Sequence, residues 1–293
     1  MASEAAALKS AWQQTADIAT RYKAVENATR PFAALMVQLA SRLTTLKTTP
    51  ISIFDLGCGT GAVEAEIYDA VKKEDWKDLN VHAGDVSPPM LAYLAQRGEE
   101  CGWDNLTTQI VDGSKLSESD VGGEFARVFV GFAIFVLPPD TIKLLGQKVA
   151  QGGTLAVSTW ARLPWFEVLR MTLERLEDGP AMPDEAQIWK GLTNGQPWHD
   201  AGFVKEQLES AGLKKVEVVQ RKENVDCGTP ELFMTTMGFV LELLSAQWPE
   251  EKRAGWLKDV GDTMKAILIE KVDRPDNHLF MEFEGIVGVG LKG

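Results

Sequence analysis

The sequence predicts an α/β protein whose parallel sheet is covered by helices on both faces. Short apolar segments alternate with helical patterns along the middle of the chain, which is the order of strand–helix–strand units. Three alternating glycines, Gly57, Gly59 and Gly61, separate the first apolar segment from a helical pattern. Glycines at this point permit a sharp turn and the close approach of a ligand. We therefore expect a small-molecule site at the carboxyl ends of the strands.

The N-terminal residues 1–47 are predicted to form a helical cap. The pattern over residues 4–25 indicates a first helix, whose apolar positions are Leu8, Trp12 and Ile18. A second helix has Pro31 in its first turn and an apolar stripe made of Phe32, Leu35, Met36, Leu39 and Leu43. We expect this pair to lie over the ligand-binding edge of the sheet. Tyr22 would then approach the ligand or pack as an ordinary core tyrosine.

The sheet core is predicted over residues 48–228 and 273–293. Its strands are expected at 51–56, 79–85, 106–111, 126–132, 153–159 (after a turn at 151–153), 214–222 and 278–291. Its helices are expected at 62–73, 88–101 and 200–211, the last with Asp200 near its N-cap and Gly212 at its end. Residues 229–272 would be an insertion of two helices joined at Trp248-Pro249, within a single domain of residues 1–293.

The first inserted helix is apolar on most sides. Its main stripe is Phe233, Met237, Val240, Leu241 and Leu244, and Leu232, Phe239 and Leu243 widen it. A helix of this kind is buried, or it faces a ligand or a partner. We interpret it as a lid over the substrate, with an ordinary packed helical subdomain as the alternative and a homodimer contact as a further role.

Composition narrows the classes of partner. The 293 residues carry a formal net charge of −12 with no Lys/Arg-rich run, which argues against nucleic acid and anionic membranes. Three scattered cysteines and three histidines show no metal-ligand spacing. Neither a signal peptide nor a membrane-spanning apolar run is evident. We expect a cytoplasmic protein that binds a small molecule and no metal, as a monomer or homodimer.

Three acidic residues follow the first three strands. Gly57-x-Gly59-x-x-Ala62 formally matches a dinucleotide fingerprint, but Asp55 would disfavour a pyrophosphate and suits a ligand with a cationic head. Asp85 can bind ribose hydroxyls, which dinucleotides and S-adenosylmethionine share. Asp112 can accept a hydrogen bond from an adenine amine.

With these motifs the chain resembles class I S-adenosylmethionine-dependent methyltransferases of the ubiquinone/menaquinone-biosynthesis type. The matching elements are Asp55-x-Gly57-x-Gly59-x-Gly61, Gly84-Asp85-x-Ser87-x-x-Met90-Leu91 and the third-strand acid Asp112. The resemblance implies a Rossmann-like sheet of seven strands, the last antiparallel between strands 5 and 6. It implies S-adenosylmethionine as cofactor and S-adenosylhomocysteine as product. The cofactor-binding residues would be Tyr22, Asp55, Gly57, Gly59, Gly61, Asp85, Val86, Met90, Asp112, Gly113, Gly131 and Phe132.

The chain is also similar to fungal secondary-metabolite methyltransferases of the gliotoxin bis-thiomethyltransferase type. The shared segments include Arg21-Tyr22-Lys23, Val128-Phe129-Val130-x-Phe132, Ser158-Thr159-Trp160 and Gly290-Leu291-Lys292. The departures are the full glycine motif with Asp55, an acid at Asp112 where an amide is expected, and His199, which has no counterpart. The resemblance implies a natural-product substrate held by Phe135, Trp160 and Trp165.

The chemistry of the acceptor is less constrained. The edge of strand 4, residues 129–140, is almost wholly apolar, without the carboxylates and amides that magnesium-dependent relatives place there. His199 is the best candidate for a general base, although a histidine at a helix start is more often simply solvated. A site without an evident base favours a thiol acceptor, whose reference pKa is about 8.5. A phenolic oxygen is the next choice, and a natural-product cyclase that keeps the fold without methyl transfer is a further alternative.

Overall fold

The computed structural model of the chain describes residues 18–23, 26–44 and 49–293. Most of the helix predicted over residues 4–25 lies outside these ranges, including Leu8 and Trp12. Within them, helix α1 spans Ile18–Lys23 and α2 spans Glu26–Leu43. Among the described residues, no helix combines the length and the apolar composition that a membrane crossing requires.

A seven-stranded mixed sheet forms the centre of the fold. Its strands are β1 (Ile51–Leu56), β2 (Leu79–Asp85), β3 (Leu106–Ile110), β4 (Phe125–Gly131), β5 (Val149–Trp160), β6 (Leu213–Asp226) and β7 (Phe280–Lys292). They are ordered β3-β2-β1-β4-β5-β7-β6. β1 to β5 pair in parallel, whereas β7 is antiparallel to both β5 and β6. The predicted class, including the antiparallel last strand, is confirmed.

Helices cover both faces of the sheet. The remaining ones are α3 (Ala62–Asp69), α4 (Pro88–Cys101), α5 (Thr141–Lys148), α6 (Phe166–Arg175), α7 (Glu185–Leu192), α8 (Ala201–Ser210), α9 (Pro230–Ser245) and α10 (Glu250–Val272). α2, α3 and α4 pack on Ile53, Val81 and Phe129 of one face. α5 and α8 pack on Phe54, Val128 and Leu155 of the other. Buried Val, Ile, Leu and Phe side chains on both faces explain the near-continuous apolar strands of the sequence.

Three local predictions were wrong. Pro31 lies in the second turn of α2, because that helix begins at Glu26, whose buried carboxylate is held by ion pairs. The helix predicted to residue 73 ends at Asp69 and is followed by a 3₁₀ helix over Lys73–Asp78. The predicted turn at 151–153 is a bulge inside β5, where Gly152 adopts a φ of 77° and the pairing with β4 shifts register.

The insertion between β6 and β7 packs back onto the core. α9 and α10 follow each other with Trp248 and Pro249 between them, as predicted. Phe233, Met237 and Leu241 of α9 are buried in the cluster that also contains α2 and α3. Leu244 packs with Trp160 and Trp165 in an aromatic cluster beyond the end of β5. The apolar stripe of α9 thus faces the protein interior.

Candidate active site

The glycine loop between β1 and α3 has a backbone that side chains would disturb. Gly57, Gly59 and Gly61 adopt φ values of 74°, 53° and 88°, the left-handed region where glycine carries no steric penalty. The amides of Gly57 and Cys58 donate to the carbonyl of Gly84, at 2.7 and 3.2 Å. The loop is therefore tied to the carboxyl end of β2.

A cleft opens above this loop, at the carboxyl ends of the strands. It is lined by Tyr22, Thr29, Ala33, Asp55, Gly57, Cys58, Gly59, Thr60, Ala62, Val63, Gly131, Phe132 and Ser158. Six of these residues belong to the predicted cofactor set: Tyr22, Asp55, Gly57, Gly59, Gly131 and Phe132. The cleft thus joins α1, α2 and the ends of β1, β4 and β5 at one edge of the sheet.

Tyr22 forms part of the wall opposite the loop. A Cβ atom at Gly59 would lie 3.4 Å from its ring, so the ring rests over the middle glycine. Burial and the negative charges of Asp85 and Glu26 raise the pKa of Tyr22 to about 12. The phenol is therefore neutral at physiological pH and can act as a hydrogen-bond donor.

Two buried acids lie beneath the loop. The side chains of Asp55 and Glu64 are 1% and 0% exposed. Among the described residues, no side chain other than these two hydrogen-bonds to either carboxyl. Burial and the neighbouring charge of Glu64 raise the pKa of Asp55 well above its ordinary value. Burial raises the pKa of Glu64 to about 7. Two such acids cannot both ionise without a cation nearby.

Asp85 connects the loop to the end of β2. One carboxylate oxygen accepts from the amide of Gly59 at 2.9 Å, and the other accepts from the amide of Ser87 at 2.9 Å. Burial raises the pKa of Asp85, while these amide donors act in the opposite direction. The carboxylate orients the loop and retains lone pairs that a ligand hydroxyl can use.

Phe132 and Trp160 form an aromatic wall beside the cleft. Their rings stack with centroids 4.0 Å apart, and the edge of Phe32 meets them at 5.5 and 5.9 Å. Phe132 has a φ of 51°, an unusual value for a non-glycine residue. Its amide donates to both the carbonyl and the hydroxyl of Ser158, each at 3.1 Å. These bonds hold the ring in place after β4.

The other predicted cofactor residues are not among those lining the cleft. Met90 packs beside Tyr22 in a small cluster, and Val86, half-buried, directly follows Asp85. Asp112 accepts hydrogen bonds from the amide and hydroxyl of Ser114, at 3.1 and 2.6 Å. Gly113 is buried against Leu137.

The remaining candidates occupy different places. Phe135 packs in the apolar cluster on the sheet face opposite α2, whereas Trp165 lies in the cluster with Trp160. The ring of His199 stacks on Trp189 with centroids 4.6 Å apart. Its Nδ1 atom is buried without a hydrogen-bond partner in the described part of the chain. His199 is not among the residues lining the cleft.

Reasoning from the sequence missed four polar residues of this region. Glu64 sits beneath the loop, Ser158 positions Phe132, and Glu26 and Arg97 form an ion pair behind the loop. Glu64 carries a signal in retrospect, because it is an acid adjoining Val63 at the start of the predicted apolar face of α3. Glu26 and Arg97 are far apart in sequence and carry none.

Comparison with known proteins places these features among methyltransferases. Residues 53–151, which hold the glycine loop, Asp85 and Asp112, match a family described as "Methyltransferase domain". A protein of Aspergillus niger named "Methyltransferase ktnA" is 26% identical over 295 residues, covering 94% of this chain and 95% of that protein.

Two further fungal relatives match over most of their length. An "Acetylaranotin bis-thiomethyltransferase" of Aspergillus terreus is 24% identical over 264 residues, which is 89% of each chain. "Methyltransferase tpcH" of Aspergillus fumigatus is 26% identical over 247 residues, covering 83% of this chain and 85% of that protein. The matches include both the sheet core and most of the remaining chain.

Proposed function

The chain belongs to the class I S-adenosylmethionine-dependent methyltransferases, and from this premise we propose that it methylates a thiol of a small, largely apolar natural product. The methyltransferase domain and the fungal relatives confirm the predicted enzyme class and its cofactor. The acceptor atom and the residue roles below are our assignments.

The observation that carries the assignment is the pair of buried acids beneath an open glycine loop. Asp55 and Glu64 have no cationic side chain within hydrogen-bonding distance among the described residues. Arg97 acts on Glu64 through its charge alone, so the pair can ionise fully only with a further cation. The ammonium group of the cofactor's methionine end would supply that charge. We assign Gly57, Gly59 and Gly61 to the backbone cradle of the cofactor.

The adenosine end would lie toward β2 and β3. We assign the free lone pairs of Asp85 to the ribose hydroxyls and Asp112 to the adenine amine. Val86, Met90 and Gly113 would adjoin these groups, while Tyr22 and Gly131 line the cleft itself. The carboxyl ends of parallel strands are where such ligands bind in this type of sheet.

When bound, S-adenosylmethionine supplies an electrophilic methyl group that an acceptor takes from the sulfonium by in-line displacement. The protein's part is to position the acceptor and exclude water. Phe132 lines the cleft, and its ring stacks on that of Trp160. Aromatic faces attract a sulfonium cation by about 1 kcal/mol. We therefore place methyl transfer at this wall.

A thiol is the acceptor that this wall suits best. A thiol of ordinary pKa, about 8.5, is partly ionised at neutral pH and needs little help from a base. The relative from Aspergillus terreus carries bis-thiomethyltransferase in its name, which supports the same choice. We assign Trp160, Trp165 and, at greater distance, Phe135 to the substrate pocket.

We propose residues 229–272 as a lid over this pocket and residues 1–47 as the N-terminal cap of a single domain. Leu244, Trp160 and Trp165 pack against one buried cluster, Leu163, Ile188 and Trp189, which supports the first assignment. His199 stays the candidate base, since its buried Nδ1 lacks a partner in the described chain. Replacement of His199 by Asn should lower turnover of a phenol more than that of a thiol if it acts as a base.

Mass spectrometry of acceptors incubated with the enzyme and S-adenosylmethionine tests the proposal. A reduced epidithio-diketopiperazine should gain one or two methyl groups on sulfur, and matched phenols should gain none. Asp85→Ala should abolish the gain. The control Asp69→Asn alters an exposed acid paired with Arg30 and should keep it. Methylation of phenols alone would instead assign the enzyme to oxygen.

No transfer to either acceptor, with S-adenosylhomocysteine still bound, would refute methylation of these acceptors and favour a cyclase. A cyclase is recognised by a product isomer of unchanged mass.

The three free cysteines, Cys58, Cys101 and Cys227, support a reducing compartment. We propose a cytoplasmic enzyme, which cell fractionation tests, and a sizing column distinguishes monomer from homodimer.

A further inference from the structure

A buried carboxylate stands where three parts of the cofactor site meet. Glu26, the first residue of α2, is 2% exposed. Its carboxylate accepts two hydrogen bonds from Arg97 of α4, at 2.9 and 3.1 Å. It also pairs with Lys23 of α1 at 2.6 Å and accepts from the hydroxyl of Thr60 at 3.1 Å. One side chain therefore joins both N-terminal helices to the glycine loop.

Arg97 extends the connection to the loop backbone. Its Nη1 donates to the carbonyls of Thr60 and Gly61, at 2.8 and 3.1 Å. The guanidinium also lies over the ring of Trp103, 5.5 Å from its centroid. A planar guanidinium can serve a carboxylate and two carbonyls together, which the ammonium of lysine cannot match.

The positive charges of Lys23 and Arg97 stabilise the ionised form of the Glu26 carboxylate. Burial tends to raise the pKa of Glu26, but hydrogen bonds and charges from Lys23 and Arg97 outweigh it and hold the pKa below its ordinary value. The carboxylate is thus ionised at neutral pH. Loss of Arg97 would leave the buried carboxylate with Lys23 as its remaining ion-pair partner, and incomplete pairing of a buried charge is costly.

The position of Tyr22 connects this group to the ligand. Tyr22 directly precedes Lys23, and its ring lies over Gly59. Lys23, which pairs with Glu26, is therefore the residue directly after Tyr22, a side chain that lines the cleft. Neither Glu26 nor Arg97 lines the cleft itself, so both act through the loop and Tyr22.

We propose that the Glu26–Arg97 ion pair is a clasp that sets cofactor affinity by holding helices α1 and α2 against the glycine loop. This inference rests on the assignment of the loop to S-adenosylmethionine and adds two positioning residues to it. The clasp fixes the carbonyls of Thr60 and Gly61 on one side and the segment bearing Tyr22 on the other. The acceptor wall at Phe132 and Trp160 meets α2 further along the helix, at Phe32.

Glu26→Gln is the direct test, with Glu66→Gln as its matched control. Glu66, in α3, accepts a hydrogen bond at 2.5 Å from Arg30, which lies in α2 as Glu26 does. Glu26→Gln should raise the dissociation constant of S-adenosylhomocysteine, measured by calorimetry, about tenfold or more. The control should stay within about twofold.

Kinetics separate the clasp from a merely structural role. Glu26→Gln should raise the KM for S-adenosylmethionine about tenfold while kcat at saturation stays within about twofold. A variant that is only less well folded would lower kcat and the binding stoichiometry with an unchanged dissociation constant, and that result overturns the proposal. Since S-adenosylhomocysteine binding needs no acceptor, the clasp is tested even if the thiol assignment fails.

The double variant Glu26→Gln with Arg97→Gln covers the case in which a single variant does not fold. It removes the charges of both Glu26 and Arg97, so neither position keeps a charge that has lost its partner, and the two amides can hydrogen-bond to each other. Because the pair acts as one unit, its loss of affinity should not exceed that of the worse single variant. Affinity equal to the native chain, or losses that add, would overturn the clasp.

Discussion

The glycine loop permits a graded test of why its three glycines are needed. We compare Gly57→Ala with Gly59→Ala, since both glycines have positive φ values. A left-handed conformation costs a non-glycine residue about 1–2 kcal/mol. Lower entropy of the unfolded chain returns about 0.4–1 kcal/mol. Strain alone therefore predicts a net loss near 1 kcal/mol at either position.

Steric surroundings separate the two positions. A Cβ at Gly59 would meet the Tyr22 ring at 3.4 Å, an ordinary contact distance. A Cβ at Gly57 would lie 2.6 Å from the Cβ of Ala133, and neither atom is at the end of a flexible side chain. Overpacking of this kind adds about 1–3 kcal/mol. We expect about 1 kcal/mol for Gly59→Ala and about 2–4 kcal/mol for Gly57→Ala.

Urea unfolding followed by tryptophan fluorescence measures these losses from the shift in midpoint at constant slope. The order of the two variants is the decisive result. Equal destabilisation, or a Gly57→Ala variant within about 0.5 kcal/mol of the native chain, would refute the steric argument.

Three further predictions concern the site. Asp85→Asn replaces an acceptor by a donor facing an amide of Gly59 or Ser87, so calorimetry should show S-adenosylhomocysteine affinity reduced about tenfold or more; unchanged affinity would contradict that role. Trp160→Leu should lower acceptor turnover in a mass-spectrometric assay while S-adenosylhomocysteine affinity stays within about twofold, and an equal loss of both would move the methyl-transfer site elsewhere. Burial raises the pKa of Glu64 from 4.5 to about 7, so the folded state loses stability relative to the unfolded chain as pH rises through that range. In thermal unfolding, Glu64→Gln should therefore be more stable than the native chain at pH 8 and lose this advantage near pH 5. A difference in stability that does not depend on pH would exclude this cause.

Sequence patterns were sufficient where the structure is determined locally. The strands at 51–56 and 79–85 and the helix at 88–101 match the predicted bounds, because apolar runs and turn residues define them. The Asp200 N-cap was also recognisable, and its carboxylate accepts from the amide of Phe203 at 2.8 Å. The antiparallel last strand came from family resemblance, because strand order leaves no local pattern.

Long-range contacts explain what the sequence could not reveal. Glu26 extends α2 by partners in α1 and α4, so the helix starts before Pro31, where a local reading would begin it. The bulge at Gly152 depends on pairing with β4, and a glycine pair alone reads as a turn. Asp55 was predicted as a cofactor ligand, but its burial with Glu64 appears only when β1 and α3 are packed together.

The placement of β7 between β5 and β6 bears on how the chain is made. During synthesis, β1 to β5 emerge first, and the free edge of β5 must wait until α6 to α10 and β6 have been translated before β7 can pair with it. An exposed apolar edge strand is a site for aggregation, and pairing across such a sequence separation is slow. Nascent chains stalled before Phe280 should therefore need chaperones, whereas release of β7 from the ribosome should complete the sheet.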